Sequence, residues 1–361
     1  MWLFFLLPFF YLAGNVYIFL RGRKAAKPLS IGVKVLLTIL FWGLALSLFF
    51  GLSLHDSQLP PTLAQIISRV GSGWLVFTLY MTLILVVFDL LRVFRLRLPH
   101  TFLISLFLTF CLLGYGYYHY MHPTIRVINR TINKPAETSS LKIVAVSDLH
   151  LGYATNKRML AGYVELINAQ QPDLILIGGD LADEDVSPLI SQHMEEELSR
   201  LQAPLGIYMV PGNHDYYSGI EDCLQFVHKT PIKILRDDVT VLPNQVQLVG
   251  RDDRMNPNRQ SLESLMANVD QSHPIILIDH QPYELEKSAA VGVDIQFSGH
   301  THYGQVWPIS WVARAVFELA FGEKEIGNTF ITVSSGLSLW GPPFRIGTDS
   351  ELVIFNLTFQ P

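Results

Sequence analysis

Gly299-His300-Thr301-His302 is the stretch that decides the fold, because it ends a short apolar run at residues 295–297. Four earlier fragments also end apolar runs: Asp148-Leu149-His150, Gly179-Asp180, Gly212-Asn213-His214-Asp215 and the lone His280. Short runs rich in Val and Ile predict buried strands. Polar side chains at the carboxyl ends of several strands of an α/β sheet meet in one crevice. We therefore expect the five fragments to form one site.

The side chains in these fragments are metal ligands by type. They comprise carboxylates, imidazoles and one amide, which together suit borderline and hard divalent ions such as Mn, Fe, Zn, Co or Ni. The set is too large for one ion and fits two ions that share a bridging carboxylate. Two ions close together would neutralise the oxygens of a phosphate ester and acidify a water held between them.

The order D-x-H, G-D, G-N-H-D, H and G-H-x-H resembles the calcineurin-like metallophosphoesterase superfamily. Residues 299–305, with the later Ser335-Gly336-Leu337 and Pro343-Phe344-Arg345, are similar to its bacterial branch of membrane-associated phosphodiesterases. The resemblance covers the chain from residue 141 onward. Tyr303 departs from that branch, which has a second glycine at this position, so the cleft is expected to be narrower here without loss of a ligand.

The resemblance implies a role for each matched residue. The first metal would be held by Asp148, His150 and His302, the second by Asn213, His280 and His300, with Asp180 bridging the two. His214 resembles the family's histidine that is not a ligand, which stabilises the phosphoryl group or protonates the leaving oxygen. Asp183 stands where related phosphatases have the partner of that histidine, and its alternative is a helix cap or loop acid.

Other polar residues carry weaker expectations. Arg345 resembles a late arginine that would bind a substrate phosphate through its fork of donors, and its alternative is a surface salt bridge. Asp215 is expected behind the ligands or as a helix cap. Asp252 and Asp253 follow Gly250 and read as turn formers.

The first third of the chain is strongly apolar, although charged residues make up 16% of the whole and the mean hydropathy is +0.30. Four apolar runs, near residues 1–20, 35–54, 74–91 and 102–120, approach the length needed to cross a bilayer. A cleaved signal peptide would begin with basic residues, whereas the first run ends with them. Asp89 interrupts the third run and is expected to be paired or near the interface.

Basic residues predict the orientation of these helices. Eight flank the first and third connections, against four on the opposite side. The eight are Arg21, Arg23, Lys24, Lys27, Lys34, Arg92, Arg95 and Arg97, and the four are Arg69, Arg126, Arg130 and Lys134. The positive-inside rule then places both connections in the cytoplasm of a bacterial cell and the remainder of the chain outside its inner membrane.

The predicted organisation is therefore a four-helix transmembrane region at residues 1–121, a linker at residues 122–140 and an α/β domain at residues 141–361. Strands alternating with helices indicate a layered sheet, and the resemblance implies two packed sheets flanked by helices. Helices are expected near residues 157–169, 188–201, 219–228, 261–269 and 283–290.

The function expected is hydrolysis of a phosphoester or pyrophosphate bond by a membrane-anchored enzyme with two divalent ions. Residues 306–322 contain Trp307 and Trp311 and read either as ordinary core or as an apolar lip that admits a lipid substrate. One rival is a cytoplasmic domain acting on nucleotides or nucleotide-linked lipid precursors, and another is a sensor or scaffold without catalysis. The net charge of −5 argues against nucleic-acid binding, and the oligomeric state is open.

Overall fold

The computed structural model describes residues 2–53 and 61–360. The chain forms two compact units. The first is Met1–Tyr118 with Gly341–Phe344, and the second is His119–Trp340 with Arg345–Pro361.

As far as the structure describes it, the first unit is built of four long apolar helices, the last of which ends three residues beyond Tyr118. They are α1 (Trp2–Ala25), α2 (Ile31–Ser53), α3 (Pro61–Val93) and α4 (Thr101–Met121). Within the described residues, three stretches are long and apolar enough to cross a membrane: Ile31–Phe50, Arg69–Val93 and Thr101–Met121. The prediction of four spans is corrected to three. The first seven side chains of the predicted first span lie outside the described part, and the rest of α1 mixes apolar residues with Arg21, Arg23 and Lys24.

Asp89 is paired, as expected for an acid inside an apolar helix. Its partner is Arg21 of α1. Tyr17 donates a hydrogen bond to the other carboxylate oxygen at 2.6 Å. Both oxygens therefore have partners from α1, and the pair fastens α1 to α3.

The second unit contains two six-stranded mixed sheets. The first sheet, in spatial order, is β1 (Thr124–Ile132), β12 (Glu351–Phe359), β2 (Ser140–Val146), β3 (Leu174–Ile177), β4 (Ile207–Met209) and β5 (Ile232–Ile234). The second is β10 (Gly322–Ile326), β11 (Thr329–Val333), β9 (Ile295–Ser298), β8 (Ile275–Ile278), β7 (Gln247–Gly250) and β6 (Asp238–Val241). The neighbours β2, β3 and β4 are parallel, and so are β7, β8 and β9.

Helices cover the outer faces of the two sheets. The helices of the second unit are α5 (Lys157–Asn168), α6 (Ser187–Ser191), α7 (Met194–Leu198), α8 (Asn213–Tyr217), α9 (Ile220–Val227), α10 (Leu262–Met266), α11 (Leu285–Ala290) and α12 (Ile309–Val316). Of these, α5, α6, α7 and α9 pack in one apolar cluster with strands of the first sheet, and α10 packs in another with strands of the second. The sheets pack on each other through a shared core that includes Leu176, Ile276, Phe297 and Phe355. The expected two-sheet sandwich flanked by helices is confirmed, and the helix predicted over residues 188–201 is two short helices that divide where His193 has a left-handed backbone.

The predicted linker contains a strand. Thr124–Ile132 forms β1 and pairs in parallel with β12 along its whole length. The sequence of this segment contains no continuous apolar run of the kind that predicts a buried strand. The reason is that β1 lies at the edge of its sheet, where only alternate side chains are at least partly buried. Residues 124–132 therefore belong to the α/β unit.

Candidate metal centre

Five loops, each following a strand, bring the candidate ligands together. Asp148 and His150 follow β2, Asp180 follows β3, Asn213 begins α8 after β4, His280 follows β8, and His300 and His302 follow β9. These strands run parallel within their sheets, so their carboxyl ends lie at the same edge. Contacts between the sheets close the site: His300 donates its backbone N–H to Asp148 at 3.1 Å, and His280 Nδ1 donates to the carbonyl of Gly178 at 2.7 Å.

The first cluster is formed by Asp148, His150 and His302, all buried. The Nε2 atoms of the two histidines are 3.1 Å apart, and Asp148 Oδ1 lies 3.5 Å from His302 Nε2 and 3.9 Å from His150 Nε2. Ligand atoms bound about 2.1 Å from a common ion are separated by about 3–3.5 Å. Two imidazole nitrogens facing each other in a buried site are best explained as ligands of one cation, and the residues present therefore fit a metal ion.

The second cluster is formed by Asp180, His280 and His300. Asn213 joins it, because its Oδ1 lies 3.2 Å from His280 Nε2. Asp180 Oδ2 lies 3.2 Å from His280 Nε2 and 3.7 Å from His150 Nε2, so one carboxylate oxygen faces both clusters. The other oxygen accepts the backbone N–H of His214 at 2.8 Å, which fixes the carboxylate in that orientation.

The histidines differ in their electrostatic surroundings. Burial, reinforced by the charge of His280, lowers the pKa of His300 to about 3. Burial and the charge of His150 lower the pKa of His302 well below its ordinary value. Both rings are therefore neutral near pH 7, and the neutral imidazole is the form that binds a metal ion. Burial alone would lower the pKa of His280 as well, but the contact with Asp180 raises it well above the ordinary value.

Asp180 and Asp148 respond differently to burial. Burial alone would raise the pKa of Asp180, but His280 outweighs it and lowers that pKa. In Asp148 burial is the larger effect, and the pKa is raised, with Asp180 adding to the rise. Two carboxyls so close together hold two negative charges in the resting site only if cations are present. The electrostatics therefore agree with the donor geometry.

The backbone at the ligands is strained. Asp148, His150, Asp180, His300 and His302 all have positive φ, between 43° and 72°. A residue other than glycine in such a conformation costs of order 1–3 kcal/mol of stability. These conformations therefore persist only where the surrounding structure enforces them. The tight turns aim successive side chains into the cleft. Two glycines allow the loops to approach each other: a Cβ on Gly212 would collide with Asp180, and a Cβ on Gly299 would collide with Ser147 and Asp148.

His214 lies beside the two clusters and belongs to neither; with His150 and Asp183 it forms a third group of close donor atoms. Its ring packs edge-on against that of His150, with 4.6 Å between centroids. Its Nδ1 lies 2.8 Å from the backbone carbonyl oxygen of Asp183. A carbonyl only accepts, so Nδ1 carries a proton and Nε2 is the ring nitrogen left for another partner.

The carboxylate of Asp183 lies near two histidine rings. Its carboxylate is 3.3 Å from His150 Nδ1 and 3.7 Å from His214 Nδ1, so the closer partner is the candidate ligand. A carboxylate on the second nitrogen of a metal-binding imidazole orients the ring and raises its basicity. The hydrogen bond to His214 is made by the main chain of Asp183, whereas its Oδ1 atom lies near both rings, closer to His150, and forms no hydrogen bond within the described residues.

Asp215 lies behind the ligands, which was one of its two expected positions, and is fully buried. Its carboxylate accepts hydrogen bonds from the backbone N–H groups of Leu181, Ala182 and Gly212. It therefore ties the loop of Asp180 to the loop of Asn213. Burial, together with the charge of Asp180, raises the pKa of Asp215 to about 6.

Arg345 has a structural position that differs from its predicted role. Its side chain is fully buried, and its Nη atoms donate to the carbonyls of His302, Ser335, Gly336 and Ser338 at 2.6–3.1 Å. A guanidinium so occupied holds the loop after β11 against His302. Neither phosphate binding nor the alternative of a surface salt bridge fits this environment.

Sequence reasoning missed the acids around His280. Asp253, read as a turn former, is buried and accepts two hydrogen bonds from Gln281, at 2.8 and 3.1 Å. Asp279, which directly precedes His280, is buried between Arg251 and Arg259. Position in the sequence could have indicated these acids, since Asp279 and Gln281 flank a candidate ligand. Position alone is a weak signal, because polar residues also flank histidines in loops that bind no metal.

Comparison with known proteins agrees with the geometry. Residues 141–304 match the family model described as calcineurin-like phosphoesterase. An uncharacterized metallophosphoesterase of Aquifex aeolicus is 30% identical over 256 residues, which are 68% of this chain and 96% of that protein. One from Helicobacter pylori is 34% identical over 223 residues, 60% of each chain. The bovine "Transmembrane protein with metallophosphoesterase domain" is 28% identical over 259 residues, 66% of this chain and 58% of its own length.

The alignments therefore span about 60% of the Helicobacter and bovine relatives. They confirm the expected resemblance, including its bacterial members.

Proposed function

The chain belongs to the calcineurin-like metallophosphoesterase family, and from that premise we propose that it is a membrane-anchored, metal-dependent phosphoesterase acting on a lipid or lipid-linked phosphate. The bond hydrolysed is a phosphoester or pyrophosphate bond. The observation that carries the proposal is the convergence of ligand atoms from five loops, with Asp180 Oδ2 facing both clusters.

Two divalent ions fit this donor set. Asp148, His150 and His302 would hold one ion, and Asn213, His280 and His300 the other, with Asp180 shared. When bound, such ions neutralise the phosphoryl oxygens and acidify the attacking water. Mn, Fe and Zn are the ions that mixed imidazole and carboxylate ligands favour.

The protein's own groups complete the reaction. His214 is fixed through Nδ1, so in its imidazolium form its Nε2 can deliver a proton to the oxygen of the leaving group as the phosphorus–oxygen bond breaks, leaving the neutral ring with its proton on Nδ1. Asp183 orients the His150 ring from behind. Asp215 keeps the loops of Asp180 and Asn213 at a constant separation, which preserves the spacing of the two clusters.

The α12 helix supports a lipid substrate. Five large apolar side chains in and just before it are 42–60% exposed: Trp307, Ile309, Trp311, Val312 and Val316. Its buried positions are the small Ser310 and Ala313. The alternative of ordinary core packing would bury the large side chains and expose the small ones. A helix with this inverted pattern suits insertion into the interfacial region of a bilayer.

The α12 face lies next to the metal centre along the chain and in space. Phe317 follows α12 directly, and its ring packs edge-on against that of His300 with 5.7 Å between centroids. A lipid held on this face would thus present its phosphate close to a candidate ligand.

The test compares two substrates in the full-length protein loaded with Mn²⁺. We expect hydrolysis both of bis(p-nitrophenyl) phosphate and of phospholipids from a panel in mixed micelles. Trp311→Asp should lower kcat/KM on the lipid about 10- to 100-fold, because burying a large apolar side chain contributes about 1.5–3 kcal/mol. Activity on the soluble ester should persist.

Ile190→Asp is the matched control, since Ile190 is 49% exposed on α6. An equal loss on both substrates in Trp311→Asp would assign the α12 face to folding. Absence of hydrolysis of either substrate by the metal-loaded wild-type protein would remove the phosphoesterase proposal and favour a sensor or scaffold.

The proposed location is the plasma membrane of a bacterial cell, with the catalytic unit outside the cytoplasm. The reduction to three candidate spans leaves this unchanged, because the connection between the last two carries Arg95 and Arg97 and directly follows Arg92. If that connection is cytoplasmic by the positive-inside rule, one further crossing by α4 takes the following chain to the other side.

Cysteine labelling checks this orientation. In a protein with Cys111→Ser and Cys223→Ala, we expect Ser139→Cys to react with a membrane-impermeant thiol reagent in intact cells or spheroplasts. Ser139 is exposed, so the reagent can reach it. Labelling only after lysis would place the domain in the cytoplasm and favour the nucleotide-linked substrates.

A further inference from the structure

A basic cavity of about 300 Å³ lies beside the loop that carries His280. Four of its lining residues are cations: Arg251, Arg254, Arg259 and Lys287. The cavity lies at the carboxyl end of β7, on the far side of the His280 loop from the strand β9. None of its lining residues is among the candidate metal ligands, so it is a separate place on the surface.

Two buried arginines in this cavity share a single carboxylate. Arg251 Nη1 and Arg259 Nη2 lie 3.1 Å and 2.6 Å from the same oxygen, Asp279 Oδ2. Each side chain is 9% exposed. The Nε atom of each is buried without a hydrogen-bond partner in the described part of the chain. The two guanidinium groups thus share one carboxylate oxygen, and Asp237 adds a further attraction to Arg251.

The surroundings of Arg251 act on its pKa in both directions. Burial lowers the pKa of Arg251, and the neighbouring Arg259 lowers it further against the opposing effect of Asp279. At the rim, Arg254 and Lys287 share one acid, Glu284, at 3.8 Å and 2.7 Å. Glu263 is the remaining acid of the lining. The lining therefore has four cations and two acids, and Asp279 behind the arginine pair is a third acid.

Aromatic side chains connect this cavity to the metal centre. The Arg254 guanidinium lies 4.7 Å from the centroid of the Tyr283 ring. Tyr283 packs on Phe317, whose ring in turn packs on His300. A substrate lying along Tyr283 would therefore have one end at the metal ligands and the other at the arginines.

We propose that this cavity binds a phosphate group other than the one that is hydrolysed. Guanidinium groups recognise phosphate oxygens through forks of N–H donors, and Arg251, Arg254 and Arg259 bring three such forks to the lining of the cavity. The phosphate has two sources, a second phosphate of the substrate or free inorganic phosphate. The first source rests on the proposed phosphoesterase function, whereas the site itself does not.

Calorimetric titration of the metal-loaded full-length protein with inorganic phosphate tests the site. The wild type should bind two phosphates per chain, one at the metals and one in the cavity, and Arg259→Gln should bind one. Arg259→Gln leaves the pair of Arg251 and Asp279 intact, so the fold is expected to survive. Arg200→Gln is the matched control, because Arg200 is exposed and forms its ion pair with Glu197, three residues earlier on the same surface.

The same number of bound phosphates in the wild type and in Arg259→Gln would overturn the proposal. If the metals fail to bind or the protein fails to hydrolyse esters, the wild type should still bind one more phosphate per chain than Arg259→Gln. Failure of the proposed function and failure of the cavity site are thus separated.

Two soluble esters with the same leaving group distinguish the two sources. They are the p-nitrophenyl ester of thymidine 5′-phosphate and the same ester carrying an additional 3′-phosphate. If the cavity receives a substrate phosphate, the wild-type KM should be about tenfold lower for the second ester, and Arg259→Gln should abolish that ratio. Equal KM values in the wild type, with the titration result intact, would assign the cavity to free phosphate.

Discussion

Asp180→Asn is expected to remove both metal ions and to lower hydrolysis of bis(p-nitrophenyl) phosphate to background. The reason is that Asp180 Oδ2 faces His280 of one cluster and His150 of the other. A neutral amide removes the negative charge proposed to be shared by the two ions, and the like charges of the ions then repel each other more strongly. Metal content per chain by mass spectrometry, together with turnover, measures both effects.

Asp185→Asn is the control for this substitution. Asp185 lies in the same loop region, is exposed, and bonds to Ser187. It should retain both ions and wild-type turnover. Two ions per chain with undiminished turnover in Asp180→Asn would show that the bridging assignment is wrong.

His214→Ala has the second largest expected effect. It should keep both ions and lower turnover by about 10²–10⁴-fold, the range typical of a general acid. The loss should be smaller for esters with a good leaving group, such as p-nitrophenolate, because these need less protonation. Metal content and a series of esters that differ in leaving-group pKa measure the two parts of the prediction.

Asp183→Ala sharpens the test of His214. The hydrogen bond that fixes His214 Nδ1 comes from the backbone carbonyl of residue 183, which alanine retains. The substitution removes the carboxylate beside His150 instead. We therefore expect weaker metal binding and an unchanged dependence on the leaving group. If Asp183→Ala reproduced the leaving-group dependence of His214→Ala, the side chain would be the partner of His214. Loss of metal from His214→Ala would make His214 a ligand.

The strands that carry the ligands could be predicted from the sequence, because they are buried on both faces and read as continuous apolar runs. Leu174–Ile177 and Ile275–Ile278 are wholly apolar and wholly buried. The edge strands β1 and β10 could not be predicted, since they alternate in burial and depend on their partners for position. Residues 188–201 show the limit for helices, because the break at His193 depends on a left-handed residue that has no pattern in the sequence.

The site was predictable to the level of residue type and order. Motif order placed Asp148, His280 and His302 in one cleft, since the ends of parallel strands must meet. The roles of Asp183 and Arg345 were not predictable, because both depend on whether a main-chain or side-chain atom makes the contact. Arg345 looked like a phosphate ligand by type, yet its partners are four carbonyl oxygens that a sequence cannot reveal.

Five residues have a left-handed backbone: Asp148, His150, Asp180, His300 and His302. At these positions selection for a stable fold and selection for the proposed reaction favour different residues. Glycine adopts such conformations without the steric cost that these side chains bear. Replacing any one of the five by glycine should therefore relieve local strain even as it removes a donor. A lineage that no longer needed the reaction could lose these residues to neutral drift, and some losses would raise its melting temperature. The five strained residues therefore trade local stability for the donors that the proposed reaction requires.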